Sequence, residues 1–372
     1  MRARAAAILG IAVAGIVVRF AAYLVAGGAP DPMAHIQALC VWDCGWYPII
    51  AETGYDLAPN NALRPAAANW AFFPLSPLIA GLLSRITTLP AVVCGFLLSN
   101  LYAVIAAFVS RPVFGANERA YWLFVVMLLA GPFSVLFSSL HTEALFILLS
   151  TLAFVSLREH RPLRAGLATA ALSATRLTGI LMVLAMGIAA IQARLKDGAR
   201  LRDLPRDLLA DPRLILGLAI APIGLFAYMA FIRLHTGDGL AFLHIQHAWG
   251  RSIGNPFESL GILLRLQFPL TPAGMVVATW AAAGAIGLAL SLALAVRGRW
   301  PEAVFCAACI LVSLAGGTTS MVRFVAGLAP LGWVAAELLS LSGVLYFAAF
   351  PIVVAAGFFV TIGWLNSSLF AM

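Results

Sequence analysis

The sequence contains few charged residues. They make up 10% of its 372 positions, whereas 62% of the residues are hydrophobic and the mean hydropathy is +0.98. A soluble globular domain carries about 25% charged residues, so this composition excludes a chain folded in water. Apolar segments recur along the whole length, and no polar stretch is long enough for a separate soluble domain. The sequence therefore predicts one integral membrane domain over 1–372.

Cysteine is also scarce, and five cysteines are too few for a disulfide framework. Cys306 and Cys309 form a C-x-x-C inside an apolar helix, where packing of small side chains is expected rather than a redox or zinc pair. Cys40 and Cys44 lie in a predicted outer loop without a third and fourth ligand nearby, so we expect no metal there. No cofactor is predicted.

Acidic residues are fewer than basic ones, 15 against 23, and the net charge is +8. Such an excess can indicate a nucleic-acid partner. Most of the basic residues, however, occur in short clusters between apolar segments, as is typical of cytoplasmic loops. These clusters are Arg2 with Arg4, Arg111 with Arg119, 158–164, 194–213, and Arg297 with Arg299. We therefore expect a cytoplasmic N-terminus and no nucleic-acid partner.

The clusters and the apolar segments together predict a multi-pass, all-α topology. Membrane spans, with a kink at Pro132, are expected at 7–27, 91–110, 120–139, 141–157, 214–234, 273–296, 301–317, 321–340 and 343–365. The short apolar segment 76–88 is predicted to lie in the interface or to dip into it, and Trp364 is expected to be an interface anchor. Two extracytoplasmic loops follow from this order: 28–90, which carries interfacial helices, and 235–272.

Residues 165–193 lie between two basic clusters, yet they are too few for two full crossings. We predict a pair of re-entrant or half-length helices that meet near 175–178. This arrangement places Arg176 at membrane depth, against protein or a water-filled cavity, because a lipid-exposed charge there is costly.

Eight arginines lie outside the cytoplasmic clusters, and several of them are near membrane depth. They are Arg19, Arg64, Arg85, Arg176, Arg233, Arg251, Arg265 and Arg323. Ionisable groups in such positions usually line a cavity or pair with another charge. Four carboxylates are predicted on the same outer side: Asp43, Glu52, Glu143 and Asp238. A cavity with deep cations and carboxylates near its rim suits an anionic lipid headgroup beneath a neutral polar acceptor.

Several short stretches are more polar or aromatic than their positions require. They are 41–55, 69–74, 141–146, 174–176, 320–324, and Thr236-Gly237-Asp238 followed by Phe242, Gln246 and Trp249. Together these stretches resemble the PIG-V-like mannosyltransferases, and they occur along the chain in the order expected of that family. These proteins are the bacterial relatives of the second mannosyltransferase of glycosylphosphatidylinositol assembly. The resemblance covers nearly the whole chain. Its most specific motif is W-D-x-x-W-Y-x-x-I-A-x-x-G-Y, which begins at Trp42.

The resemblance implies a GT-C fold, which is a multispanning helical glycosyltransferase with its catalytic acid in the first outer loop. It implies a polyprenyl-phosphate-linked sugar, typically mannose, as donor, and a lipid, glycan or protein hydroxyl as acceptor. The expected location is the bacterial inner membrane, with the active site facing the periplasm or exterior. Relatives often have a basic residue just before the Trp-Asp pair, where Val41 stands here. Donor-phosphate contacts are therefore expected from Arg323 and Arg176.

Glycosyl transfer requires deprotonation of the acceptor hydroxyl, which a carboxylate can perform as general base. Asp43 is the candidate, although an outer-loop aspartate can also simply cap a helix. Because only one carboxylate is placed in this way, the sequence predicts a single inverting displacement. The residues expected to contact substrate, many of them aromatic, are Trp42, Trp46, Tyr47, Glu52, Tyr55, Phe73, His141, Glu143, Gln246 and Trp249.

Arg323 and Arg176 can stabilise the negative charge that accumulates on the leaving phosphate. They can equally be structural partners of Glu143, and Glu143 itself can orient the acceptor or serve only as an arginine partner. His244 and His247 have a spacing that permits metal binding, but the family stretch features Gln246 and Trp249, so packing is expected there.

Intramembrane charges and broken helices also mark the pathways of transporters. A lipid or glycolipid transporter or flippase is therefore the alternative function, and a non-catalytic subunit with the same fold is a third. The sequence has no clear internal repeat, and its polar motifs gather on one face, which favours the enzyme.

Overall fold

The computed structural model describes residues 2–59, 65–265 and 268–368, and within these ranges the chain is helical without β-strands. Six helical segments within these ranges are long and apolar enough to cross a membrane: Arg2–Val25, Ala91–Phe114, Leu177–Lys196, Pro212–Thr236, Pro272–Val296 and Gly343–Leu365. The all-α prediction is confirmed, and the architecture is consistent with a polytopic helical membrane protein. Arg64 lies outside the described residues.

The described ranges form α-helices joined by turns and loops. In chain order they are α1 (Arg2–Val25), α2 (Pro32–Ala38), α3 (Trp46–Thr53), α4 (Leu75–Thr87), α5 (Ala91–Val109), α6 (Glu118–Ala130), α7 (Glu143–Arg158), α8 (Pro162–Ser173), α9 (Met182–Lys196), α10 (Leu204–Leu209), α11 (Pro212–Ile220), α12 (Ile223–Thr236), α13 (Ala241–His244), α14 (Glu258–Leu264), α15 (Pro272–Val296), α16 (Trp300–Ala315), α17 (Met321–Ala326), α18 (Ala329–Leu339) and α19 (Gly343–Leu365).

Helix α7 lies at the centre of the bundle, where it packs against α5 and α8, and α8 in turn packs against α11. Aromatic side chains fill the core around it: Phe146 and Phe154 of α7 contact Phe305 of α16. The contact between α8 and α11 is close because a Cβ at Gly166 would lie 2.3 Å from the carbonyl oxygen of Gly217. Small residues of this kind let membrane helices approach backbone to backbone.

Three of the predicted spans are interrupted in the structure. The prediction of one kinked helix over 120–139 is wrong. Helix α6 ends at Ala130, and a buried series of turns connects it to α7. The Gly131-Pro132 pair ends the helix, because proline cannot supply a backbone donor. Serines within the turns satisfy backbone carbonyls, as Ser138 Oγ does for Ser134 at 2.9 Å.

The other two interruptions divide one span into two helices each. Residues 214–234 fall in α11 and α12, which are separated at Ala221 and Pro222 but together form a segment long and apolar enough to cross a membrane. Residues 321–340 fall in α17 and α18, which are separated at Gly327 and Leu328. The short helix α17 directs its side chains into the bundle, where Arg323 is only 2% exposed.

The predicted helix pair at 165–193 is present, with its tip between α8 and a 3₁₀ turn at Leu177–Leu181. Only the first arm is half-length: α8 has 12 residues, whereas Leu177–Lys196 is 20 residues long and can cross a membrane. The tip is held against the start of α4, since the backbone N–H of Leu75 donates to the carbonyl of Ala174 at 3.0 Å.

Two buried side chains have structural partners near the C-terminal end of α1. Arg19 is 2% exposed and donates to the carbonyl of Leu129 at 2.9 Å and to Asn100 Oδ1 at 3.2 Å. It thereby satisfies a carbonyl in the last turn of α6 that has no helical donor. Trp364 is fully buried, and its indole N–H donates to the carbonyl of Leu39 at 3.0 Å. The interface-anchor prediction for Trp364 is therefore wrong, because the tryptophan packs into the protein.

Candidate active site

The segment that carries Asp43 is closed by a disulfide between Cys40 and Cys44. The expectation of no disulfide framework overlooked this bond, which encloses Val41, Trp42 and Asp43. Trp42 adopts a left-handed backbone conformation with φ of 57°, which is uncommon for a residue with a side chain. A 3₁₀ turn at Trp42–Gly45 then leads into α3. The disulfide and the two helices beside it therefore fix the position of Asp43.

We expect the Cys40–Cys44 bond to be detectable by alkylation. In protein denatured without reductant, iodoacetamide should modify Cys94, Cys306 and Cys309, which are free thiols, and with reductant it should modify all five cysteines. Replacing both Cys40 and Cys44 with serine should cost up to about 2 kcal/mol of stability, because the loop is short. Modification of five cysteines without reductant would contradict the bond.

Asp43 belongs to a network of charges drawn from four distant segments. Arg323 Nη1 donates to Asp43 Oδ2 at 3.0 Å, and its Nε and Nη2 donate to Glu143 Oε1 at 3.2 and 3.1 Å. Arg176 Nη2 donates to the same Glu143 oxygen at 2.7 Å and to Thr142 Oγ1 at 2.9 Å. The 3₁₀ turn at Trp42–Gly45, the start of α7, the tip after α8 and helix α17 therefore converge at one point.

The burial of these four charged side chains separates their roles. Glu143 is 0% exposed and Arg323 is 2% exposed, whereas Arg176 and Asp43 keep 18% and 24% of their side-chain surface. Glu143 holds both arginines, and its Oε2 atom has no hydrogen-bond partner among the described residues. Asp43 and Arg176 are therefore the groups best placed to meet a ligand, while Glu143 lies behind the arginines as their shared partner.

The network opens into a cavity of about 510 Å³, which is within the usual size range of ligand pockets. Asp43, Arg176 and Arg323 form its charged end. Leu243, Ile253 and Val312 line its apolar part. All three apolar side chains also reach the protein surface, where Leu243 is 41%, Val312 45% and Ile253 94% exposed. The cavity thus joins a charged end to a surface suited to an apolar chain.

Aromatic rings form the wall beside Asp43. Tyr47, Phe72, Phe73 and Trp249 line the cavity. The ring of Trp46 stacks on Phe72 with centroids 5.4 Å apart, and Trp249 contacts Phe72 edge-on at 5.9 Å. Burial, followed by the neighbouring Glu143 carboxylate, raises the pKa of Tyr47. Its phenol therefore stays protonated at neutral pH and can donate a hydrogen bond.

The structure brings together part of the substrate-contacting set expected from the sequence. Tyr47, Phe73, Gln246 and Trp249 line the cavity with Asp43, Arg176 and Arg323. The remaining members lie around it: Trp42, Trp46, Glu52, Tyr55, His141 and Glu143 are outside the lining.

Three of these surrounding residues have clear structural contacts. Glu52 is exposed, and its Oε1 accepts a hydrogen bond of 3.4 Å from the backbone of Ala91 at the start of α5. Tyr55 donates its hydroxyl proton to the carbonyl of Phe72 at 2.7 Å and so fixes the aromatic wall. His141 is 1% exposed, with Nδ1 bonded to Ser139 Oγ at 2.7 Å and its ring edge-on to that of Trp364.

Phe72, Arg251 and Phe324 also line the cavity, although none of them was predicted to contact substrate. Phe72 and Phe324 belong to the stretches 69–74 and 320–324 that carry the family resemblance. Arg251 was visible only as one of the eight arginines outside the cytoplasmic clusters. Within the described ranges, no three His, Cys, Asp or Glu side chains lie close enough to hold a metal ion. His244 instead pairs with Asp238 through Nδ1 at 2.6 Å.

Comparison of the chain with protein-family models and with curated proteins gives no match.

Proposed function

We propose that the protein is a membrane glycosyltransferase of the GT-C type that moves a sugar, with mannose as the first candidate, from a polyprenyl-phosphate donor to an acceptor hydroxyl. The observation that supports this most directly is the meeting of Asp43 with Arg176 and Arg323 in one cavity. A carboxylate beside guanidinium groups provides a proton acceptor next to a binding place for phosphate. The adjoining aromatic rings suit the faces of a sugar.

In the proposed reaction, the acceptor hydroxyl attacks the anomeric carbon while Asp43 accepts its proton. The new bond joins the acceptor oxygen to that carbon, and the bond from the carbon to the phosphate oxygen breaks. The electron pair of the broken bond leaves on the phosphate, which departs as a polyprenyl monophosphate. One displacement of this kind inverts the anomeric configuration, because the nucleophile enters opposite the leaving group.

The extracytoplasmic face is the proposed side of the reaction. Disulfides form and persist in oxidising compartments, and the bond at Cys40 and Cys44 adjoins Asp43. The clusters of basic residues between apolar segments favour the same orientation, with the proposed active site in the bacterial periplasm or exterior.

The test is a transfer assay with the purified full-length protein in detergent. Polyprenyl-phosphate mannose should donate its sugar to a mixture of lipid, glycan and peptide hydroxyl acceptors without added metal. If the protein moves the intact donor across sealed vesicles and leaves it chemically unchanged, it is a transporter and the proposed function is wrong.

A further inference from the structure

The cavity holds three arginines, and two of them are already neutralised by carboxylates. Arg323 bonds to both Asp43 and Glu143, and Arg176 bonds to Glu143. Arg251 lies in the same cavity wall, but no carboxylate of the described residues is within ion-pair distance of it. With three guanidinium groups and two carboxylates, this end of the cavity carries an excess positive charge close to Arg251.

Arg251 is held in place without losing its capacity to donate. Its backbone N–H donates to the carbonyl of Gln246 at 3.3 Å, and Nη1 reaches Gln246 Oε1 only at 3.5 Å. Its guanidinium lies 5.8 Å from the ring centroid of Phe324, and that of Arg176 lies 5.1 Å from the same centroid. The Arg251 segment is also tied to the end of α16, since Gly254 donates to the carbonyl of Ala315 at 2.7 Å.

The electrostatic surroundings of Arg251 favour an anionic partner. Burial lowers the pKa of Arg251, the carboxylate of Asp43 raises it, and the guanidinium groups of Arg323 and Arg176 lower it again. A half-buried guanidinium without a carboxylate has lost part of its hydration without gaining an anionic partner. A phosphate group is the natural complement, because its oxygens accept charge-assisted hydrogen bonds from a planar guanidinium.

We propose that Arg251 is the main phosphate-binding residue of the cavity, that its ligand is the phosphate ester of a lipid, and that Arg323 instead positions Asp43. This inference rests on the proposed function and assigns the donor phosphate to a residue of the second outer loop. The lipid origin of the phosphate is indicated by Ile253, which follows Arg251 closely in the chain, lines the same cavity and is 94% exposed. An apolar tail leaving the phosphate meets this surface.

The experiment measures binding of a fluorescent polyprenyl monophosphate to the full-length protein in detergent. Arg251→Ala should weaken binding at least tenfold, because a charge-assisted contact is lost, and Arg251→Lys should restore part of it. Arg265→Ala is the matched control, since Arg265 is an exposed arginine of the same outer loop. The dissociation constant of this variant for the probe should stay within twofold of the wild-type value.

Competition identifies the source of the phosphate. Unlabelled polyprenyl monophosphate should displace the probe, whereas inorganic phosphate and the corresponding polyprenol should do so at least tenfold less well. Equal displacement by inorganic phosphate would assign the site to free phosphate, and equal displacement by polyprenol would remove the phosphate from recognition. Each of these two competition results overturns the inference. The inference is also overturned if Arg251→Ala binds the probe as tightly as the wild type, or if the wild type does not bind the probe.

Transfer kinetics separate this inference from the proposed function. If the wild type transfers sugar, Arg251→Ala should raise the KM for the donor at least tenfold with a smaller change in kcat. An unchanged KM would refute the role of Arg251 and leave the proposed function standing. If the wild type binds polyprenyl phosphate through Arg251 and transfers no sugar, the proposed function fails and the phosphate site stands.

Discussion

Asp43→Asn is expected to lower the rate of sugar transfer by about 10²–10⁴-fold, which is the usual contribution of a general base. The amide retains a carbonyl oxygen that can accept the hydrogen bond from Arg323 Nη1, now 3.0 Å from the carboxylate. It cannot accept the proton of the acceptor hydroxyl. Initial rates with saturating donor and acceptor measure the effect, and an unchanged elution volume on size exclusion shows that the variant is folded.

Asp31→Asn is the matched control for that variant. Asp31 also lies between α1 and α3 in the chain, and it caps α2 by accepting hydrogen bonds from the backbone of Met33 and Ala34. Asparagine caps helices about as well as aspartate, so this variant should transfer sugar at the wild-type rate. Full activity in Asp43→Asn would remove Asp43 from the mechanism, even if the cavity still binds donor.

The sequence could predict several of the residues that belong to the candidate site, but it could not predict the distances between them. Asp43 and Arg323 are separated by 280 positions in the chain, and the apolar pattern of the sequence could assign them only to the same side of the membrane. That assignment gives no distance between side chains. The Trp-Asp motif nevertheless indicated Asp43, and the cost of unpaired charges at membrane depth indicated Arg176 and Arg323, with Glu143 as their alternative partner.

The features that escaped prediction depend on contacts between distant segments or on local breaks in apolar helices. Apolar content alone cannot show that α6 ends at Ala130, because the turns that follow are themselves apolar and buried. Arg251 stands in a polar loop where an exposed arginine is ordinary. Its position in the cavity depends on the backbone contact between Gly254 and Ala315, which no local pattern encodes.

Glu143→Gln is expected to destabilise the protein more than any other single change in the network. The carboxylate of Glu143 is fully buried and accepts hydrogen bonds from both Arg323 and Arg176. Its replacement leaves Arg176 without a carboxylate partner and Arg323 with Asp43 alone. Breaking a buried ion pair from one side costs about 3–5 kcal/mol, so the unfolding midpoint in detergent should fall by at least about 5 °C. Tryptophan fluorescence during heating measures it.

Glu337→Gln is the control for the loss of a partly buried carboxylate away from the cavity. Glu337 pairs with Arg299 at 3.0 Å, and Arg299 keeps Glu302 at 3.4 Å, so the midpoint should fall by less than in Glu143→Gln. The two variants also decide the role of Glu143 itself. If Glu143→Gln retains the wild-type midpoint but loses transfer, the residue contacts the reacting groups. The other outcome is that the unfolding midpoint and the transfer rate of Glu143→Gln both fall, while the KM values of the folded protein for its substrates change little. In that case Glu143 acts by holding the two arginines in position.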